Sequence, residues 1–160
     1  MLIRTNDVLV QQELFPPPLK DGEFQPLFDA HGQEVRGRPF ELDYTRYHKI
    51  EFEGRLVWIV ARDYVRGPID TRNPIGYSCS SWYRDLNFNE RVAADGLWFV
   101  LPAFRNRGIG KALKFAGHAL LEKAGVVRTY DTIRGKFNHP TLMADIGLIP
   151  TGIRWERELR

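Results

Sequence analysis

The chain has one cysteine, Cys79, among 160 residues. A lone thiol forms no internal disulfide, which excludes the disulfide-stapled secreted scaffolds and makes a reducing compartment the default. Long hydrophobic runs are missing as well. Nothing approaches the roughly 18 apolar residues of a membrane span, and the opening MLIRTNDVLVQQELF lacks the apolar centre of a secretion signal. Both gaps lead to the expectation of a cytoplasmic protein with no membrane partner. Excess charge of one sign is scarce. With 23 Lys+Arg against 20 Asp+Glu the formal net charge is +3, too little to argue for nucleic acid but suited to an anionic ligand. His31 and His48 have no cysteine or acidic partner at ligand spacing, so no metal is expected. There is no internal repeat and no low-complexity tract.

What is present is ordinary globular material, 43% hydrophobic and 27% charged. The length suits one domain over residues 1–160 with one core. Residues 1–50 form an opening segment and 55–160 carry the strand signals. LFPPPLKDG (14–22) reads as an extended linker, QPLFDAHGQEVR (25–36) as a short helix interrupted by Gly32, and LDYTRYHKIEF (42–52) as a second helix. RLVWIVAR (55–62) is a nearly continuous apolar run, as in a strand covered on both faces, and PIGYSCSSWY (74–83) alternates. Gly67-Pro68 and Asn73-Pro74 mark a long hairpin loop between them. GLWFVLP (96–102) is a third run, stopped by Pro102.

After Pro102 the period changes. Apolar residues at 109, 113, 116, 120 and 124 make one helical stripe, with Lys111, Lys114, His118 and Glu122 on the opposite, wet face and Gly125 at the stop. VVRTYDTI (126–133) reads as a strand and NHPTLMADIG (138–147) as a short helix. TGIRWERELR (151–160) reads as a last strand with one wet face, free to pair across a homodimer. The order predicts an α/β or α+β fold around one mixed sheet. Trp58, Trp82, Trp98 and Trp155 fall in strand patterns and are expected in the core, as is Cys79.

PAFRNRGIGKALKFAG (102–117) holds Arg105, Arg107, Gly108 and Gly110 where a strand gives way to a helix. A helix start offers backbone N–H groups without partners and the positive end of the dipole. Glycine lets a ligand approach the backbone, and arginine adds forked donors. The combination suits a pyrophosphate, and it also suits a plain glycine-rich turn with solvated arginines; physics alone leaves both open. No Gly-Lys-Ser/Thr closes the run as in a nucleotide-triphosphate loop, and no G-x-G-x-x-G is present. Nucleic-acid binding through Arg105, Arg107, Lys111 and Lys114 is the weaker reading, because no aromatic stacking series stands beside them.

Arg105-x-x-Gly108-x-Gly110 resembles the R/Q-x-x-G-x-G/A signature of the GNAT acyltransferase family. GLWFVLPAFRNRGIGKAL is similar to that family's central strand, splayed loop and cofactor helix. ARDYVRGPIDTRNPIGYS is similar to its second and third strands, and Asn138 and Gly147-Leu148 to its Asn before the next helix and its Gly-Phe after it. The first 50 residues resemble more loosely the short members often carried by bacteriophages. The resemblance implies a mixed, mostly antiparallel sheet splayed at the central strand and flanked by helices. It also implies acetyl-CoA as cofactor, with its pyrophosphate on the N–H groups of Arg107, Gly108, Ile109, Gly110, Lys111 and Ala112 beside Arg105 and Asn106. The pantetheine arm would run along Phe99, Val100 and Leu101, near Asn138.

The implied reaction is direct attack of an amine on the thioester. It needs a base, a donor for the oxyanion and help for the departing thiolate. The backbone N–H of Val100 or Leu101 is the expected oxyanion donor. Asp95 is the candidate base, equally readable as a turn residue before Gly96, with Glu90 behind it. Where the family often carries a proton-donating Tyr, this chain has Met143, a thioether with no proton to give; Tyr130 or Tyr83 would have to substitute. Tyr44 and Tyr47 fall where the family builds its acceptor pocket. The acceptor is an amine of a small molecule or a protein. The other reading is a GNAT-fold protein with little or no catalysis that acts by binding a protein partner. His118 reads as a solvated histidine and His139 as a cap.

Overall fold

The computed structural model describes residues 3–5, 8–16, 22–63, 73–131, 140–145 and 147–149. Asn138, His139, Trp155, the Gly67-Pro68 turn and the expected last strand lie outside the described residues. Six strands form one open mixed sheet in the order β1 (Ile3–Thr5), β2 (Val8–Gln12), β3 (Leu56–Asp63), β4 (Pro74–Arg84), β5 (Arg91–Val100), β6 (Arg128–Tyr130). Neighbours pair antiparallel except β5 and β6, which run parallel. A parallel pair needs a crossover, and α3 (Ile109–Lys123) supplies it. The remaining helices are α1 (Gln25–Arg36), α2 (Tyr44–Phe52) and the short α4 (Pro140–Asp145). The helices expected around 25–36, 42–52, from 109 and around 138–147 are all found.

Alternation along the strands sorts their side chains onto two faces. Val57, Ile59, Ala61, Ile75, Ala93 and Val100 pack with Ile109, Leu113 and Ala116 of α3. Trp58, Val60, Tyr77, Cys79 and Phe99 turn the other way and pack with Phe15, Phe24, Leu27 and Phe28 on the side of α1. The second face is rich in aromatic rings: Trp58 and Tyr77 stack at 4.9 Å, Phe15 and Tyr47 at 4.5 Å, His31 and Phe99 at 4.7 Å. His31 also meets the Tyr77 hydroxyl at 2.6 Å, which satisfies a buried polar pair. Burial pushes the Cys79 thiol up to about 12, so it packs as a small inert residue.

Four expectations need correction. β1 and β2 form an N-terminal hairpin that the sequence reading left unassigned; β1 is three residues long and too short for a period to show. β5 begins at Arg91 rather than 96, because Val92 and Ala93 are already buried in the ladder. The helix over 25–36 runs unbroken through Gly32, a buried residue that lets α1 lie against the chain behind it. Lys114 and His118 do not lie on a wet face: Lys114 is 2% exposed and His118 half-buried, because α3 is covered over more of its circumference than one stripe.

A Cβ at Gly32 would stand 2.5 Å from the Phe40 nitrogen and 2.6 Å from the Arg38 carbonyl oxygen, both backbone. Gly32→Ala should therefore lower stability by about 1–3 kcal/mol in urea unfolding, despite the better helix propensity of alanine. An unchanged midpoint would mean that α1 shifts without cost.

Candidate active site

β5 is the strand around which the site is built. Its pairing with β4 slips once: Cys79 lies opposite Leu97 and Ser80 opposite Asp95, so Gly96 is an extra, bulged residue. Its other edge pairs with β6 only from Val92–Ala94 to Arg128–Tyr130. From Gly96 onward that edge has no strand partner among the described residues. The residues on which the splay expected at the central strand would show, 132–139, lie outside the described residues.

The direction of the free groups follows from the ladder. The Leu101 N–H donates to the Ile75 carbonyl at 2.9 Å. Antiparallel residues alternate between facing the partner and facing away. Phe99 therefore turns its N–H toward β4, while Trp98 and Val100 turn theirs to the open edge. Leu101 is thus corrected as an oxyanion donor, its N–H being occupied. The Val100 expectation is compatible with the ladder, and Trp98 joins it.

Beyond β5 a single 3₁₀ turn, Pro102–Phe104, leads into the glycine-rich loop. Gly108 has φ 77° and caps α3, a left-handed conformation for which glycine is the cheapest residue. The Ala112 N–H already donates to the Gly108 carbonyl at 3.0 Å, which removes it from the expected cradle. The N–H groups at the helix start without an acceptor among the described residues are those of Gly108, Ile109, Gly110 and Lys111. No acidic residue occupies the first turn of α3. Arg107 and Asn106 are exposed beside it, and Lys111 reaches Asp145 of α4 at 3.6 Å. Arg105 is engaged otherwise than expected. Its Nε donates to the Val100 carbonyl at 2.8 Å and an Nη donates to Glu34 of α1 at 2.6 Å.

The candidate catalytic residues separate by position. Asp95 sits in the strand at the bulge, opposite Ser80. Glu90 is six residues from Gly96, roughly 20 Å along an extended strand, and is bound to Arg128 at 2.6 Å. Tyr130 lies opposite Ala94, next to the bulge, whereas Tyr83 lies opposite Val92, farther down the hairpin. Met143 is buried on α4. From α2, the Tyr47 hydroxyl reaches within 4.0 Å of the point where a Cβ would stand on Gly96. It has no hydrogen-bond partner among the described residues, and burial holds the phenol up at about 12, so it stays protonated. Burial also raises Tyr44. Behind the Phe15–Tyr47 stack lies a cavity of about 550 Å³ lined by Glu13, Phe15, Glu23, Phe24, Phe28 and Tyr44. Arg62 holds both carboxylates, at 2.7 Å from Glu13 and 2.6 Å from Glu23, and its hydrogen bond lowers the Glu23 pKa.

Sequence reasoning missed a charged cluster on the other face. Lys114 Nζ lies 2.6 Å from Asp131 Oδ1, both side chains buried, and 4.8 Å from the centre of the Trp98 ring. Burial, and secondarily Lys114, keeps His118 below the usual histidine range. Lys114 itself is lowered by burial, with Asp131 opposing. The one available signal was Asp131, an acid inside a strand-like run.

Residues 24–139 match the profile of the "Acetyltransferase (GNAT) family". Among solved structures, an acetyltransferase of Trypanosoma brucei superposes with TM-score 0.69 at 14% identity, covering 96% of this chain and 100% of that one. The ribosomal-protein-alanine N-acetyltransferase of Brucella melitensis gives 0.68 at 18%, covering 97% and 99%. AAC(6')-Iy, solved with the bisubstrate analog CoA-S-monomethyl-acetylneamine, gives 0.66 at 17%, again covering 97% and 99%. Nothing among the curated proteins matches. At such identities the superpositions speak for the fold, while the family match spans most of the sequence and includes the strand, bulge, loop and helix just described: the chain belongs to the GNAT acetyltransferase family, whose members are acyl-CoA N-acyltransferases.

Proposed function

We propose that this protein transfers the acetyl group of acetyl-CoA to a primary amine by direct attack. The observation that carries the reading is the pairing, in one corner, of two sets of backbone donors without an acceptor among the described residues. The N–H groups of Gly108 to Lys111 open α3, and the N–H groups of Trp98 and Val100 line the adjoining open edge of β5. The pyrophosphate sits on the first set, assisted by Arg107 and Lys111, and the pantetheine arm pairs with the second as an added strand. Arg105 closes the end of the slot through Val100.

The thioester then lies by the Gly96 bulge. The amine nitrogen attacks the carbonyl carbon, the C–S bond breaks, the amine loses a proton and the coenzyme A sulfur gains one. Asp95 takes the amine's proton. A backbone N–H on the open edge holds the oxyanion. Tyr47, kept protonated, donates from the acceptor side in the role that Met143 cannot fill, and Tyr130 flanks the same point. The acceptor enters over the aromatic face of α1 and α2, with Tyr44 along its path. The neighbours of this fold include a ribosomal-protein-alanine N-acetyltransferase and AAC(6')-Iy bound to an acetylneamine bisubstrate analog, and an amine of a protein or of a small molecule suits an open aromatic floor.

At about a hundredfold excess over its Kd, acetyl-CoA should raise the melting temperature by roughly 5–10 °C. Nothing lies within 4 Å of a Cβ at Gly108, so Gly108→Trp should still fold, with a backbone penalty of about 1 kcal/mol, and lose that shift. A variant that responds like the parent places the phosphates elsewhere. In a thiol-release assay over a panel of amines and proteins, Asp95→Asn should cut turnover at neutral pH by about a hundredfold; an unchanged pH–rate profile rules Asp95 out as the base. Tyr47→Phe removes a hydroxyl with no described partner, so it should leave stability within about 0.5 kcal/mol and still lower kcat by about tenfold or more. An unchanged kcat would remove Tyr47 from the chemistry.

A further inference from the structure

The Lys114–Asp131 pair is used by none of these steps, and it is costly. Its side chains are 2% and 8% exposed. Around it, Asp131 Oδ2, His118 Nε2 and Trp98 Nε1 are buried without a hydrogen-bond partner among the described residues. Two apolar side chains of similar volume generally hold such a place at no loss of stability, because desolvation consumes what the charges gain. Local violations of this kind gather where a fold serves function rather than stability.

The place is informative. Lys114 stands on α3, one turn beyond the phosphate cradle. Trp98 stands on β5, two residues past the bulge, and its ring would be 3.1 Å from a Cβ on Gly110. Asp131 is the first residue after the last β5–β6 pair. Cradle, Trp98, Lys114 and Asp131 thus form one packed line that ends where the described pairing of β6 with β5 stops. A buried charge-assisted hydrogen bond of 2.6 Å fixes the separation of the two elements it joins more tightly than an aliphatic contact does.

We propose that Lys114 and Asp131 are positioning residues that pin the end of the described β5–β6 pairing to the cofactor helix. They thereby set the placement and aim of the β5 edge, the slot that takes the acyl-pantetheine arm. This rests on the transferase reading for the identity of the slot's occupant, and on geometry for the pin itself. Neither side chain touches substrate; both act through the backbone of β6 and the Trp98 ring.

Two double variants test it. Lys114→Met/Asp131→Leu replaces the pair by apolar chains, and Lys114→Gln/Asp131→Asn keeps a polar link without charge. Both should melt within a few degrees of the parent. The apolar double should bind coenzyme A about tenfold more weakly by calorimetry, with kcat/KM falling alongside. Its amides at 128–131 should exchange with deuterium about tenfold faster at equal global stability. The amide double should recover part of both losses. Parent-like affinity and exchange in both doubles overturns the proposal. A loss of affinity that merely follows a general fall in melting temperature in both doubles overturns it too, since the pair is then a stability element. If the parent itself binds no coenzyme A, the transferase reading fails separately, and exchange at 128–131 alone decides the pin: unchanged rates in the apolar double sink it.

Discussion

A β-strand has two hydrogen-bonding edges, and among the described residues β5 fills only one of them along its whole length. Its β4 edge is paired from Arg91 to Val100; its β6 edge is paired for three residues and has no strand partner beyond them among the described residues. Backbone donors are among the costliest groups to leave without a partner. The same corner holds a second set of them at the start of α3, and an arginine side chain covers one of the carbonyls, that of Val100. Two deficits of the same kind, side by side, call for a ligand that is anionic at one end and amide-bearing along its length. That is a tighter description than either feature gives alone.

The bulge makes the arrangement possible. One extra residue at Gly96 switches the alternation, so Ala93 before the slip and Trp98 and Val100 after it share the α3 face, while Leu97 and Phe99 turn to the α1 face. The two faces then divide the work. The α3 face is aliphatic apart from the cluster around Lys114, and the α1 face is a continuous aromatic floor of Phe15, Trp58, Tyr77 and Phe99. Aromatic rings are stiff and offer both apolar bodies and polar tips. Tyr47 uses this: its ring is fixed by the stack on Phe15 while its hydroxyl stands over the bulge.

Much of this was legible in the sequence, for a physical reason. Strands buried on both faces, such as Leu56–Asp63, leave a run of apolar residues that little else explains. The glycine at 108 and the change of period after Pro102 mark the helix start from local backbone chemistry alone. What failed to show was long-range. β1 and β2 are short; β2 takes its identity from pairing with β3, some 50 residues away, and β1 from pairing with β2. Lys114 reads as solvent-facing because helical periodicity says which side is apolar, not which side is covered. Its partner Asp131 arrives from another element. Gly32 looks like a helix breaker until the chain at 38–40 is seen to lie against it. The bulge at Gly96 appears only once β4 supplies a register to slip against.

Arg105 shows how a signature residue can be legible while its work is not. The motif draws it as a phosphate ligand, yet its guanidinium is divided between the Val100 carbonyl and Glu34. Both bonds are architectural. The first covers the last carbonyl of β5. The second ties the loop to α1, the helix whose Phe28 and His31 pack on Tyr77 and Phe99. The end of β5, the glycine-rich loop and the aromatic face are therefore held in one frame by a single planar group. A lysine could match its charge but not its forked geometry, which is the physical sense of an arginine at that position.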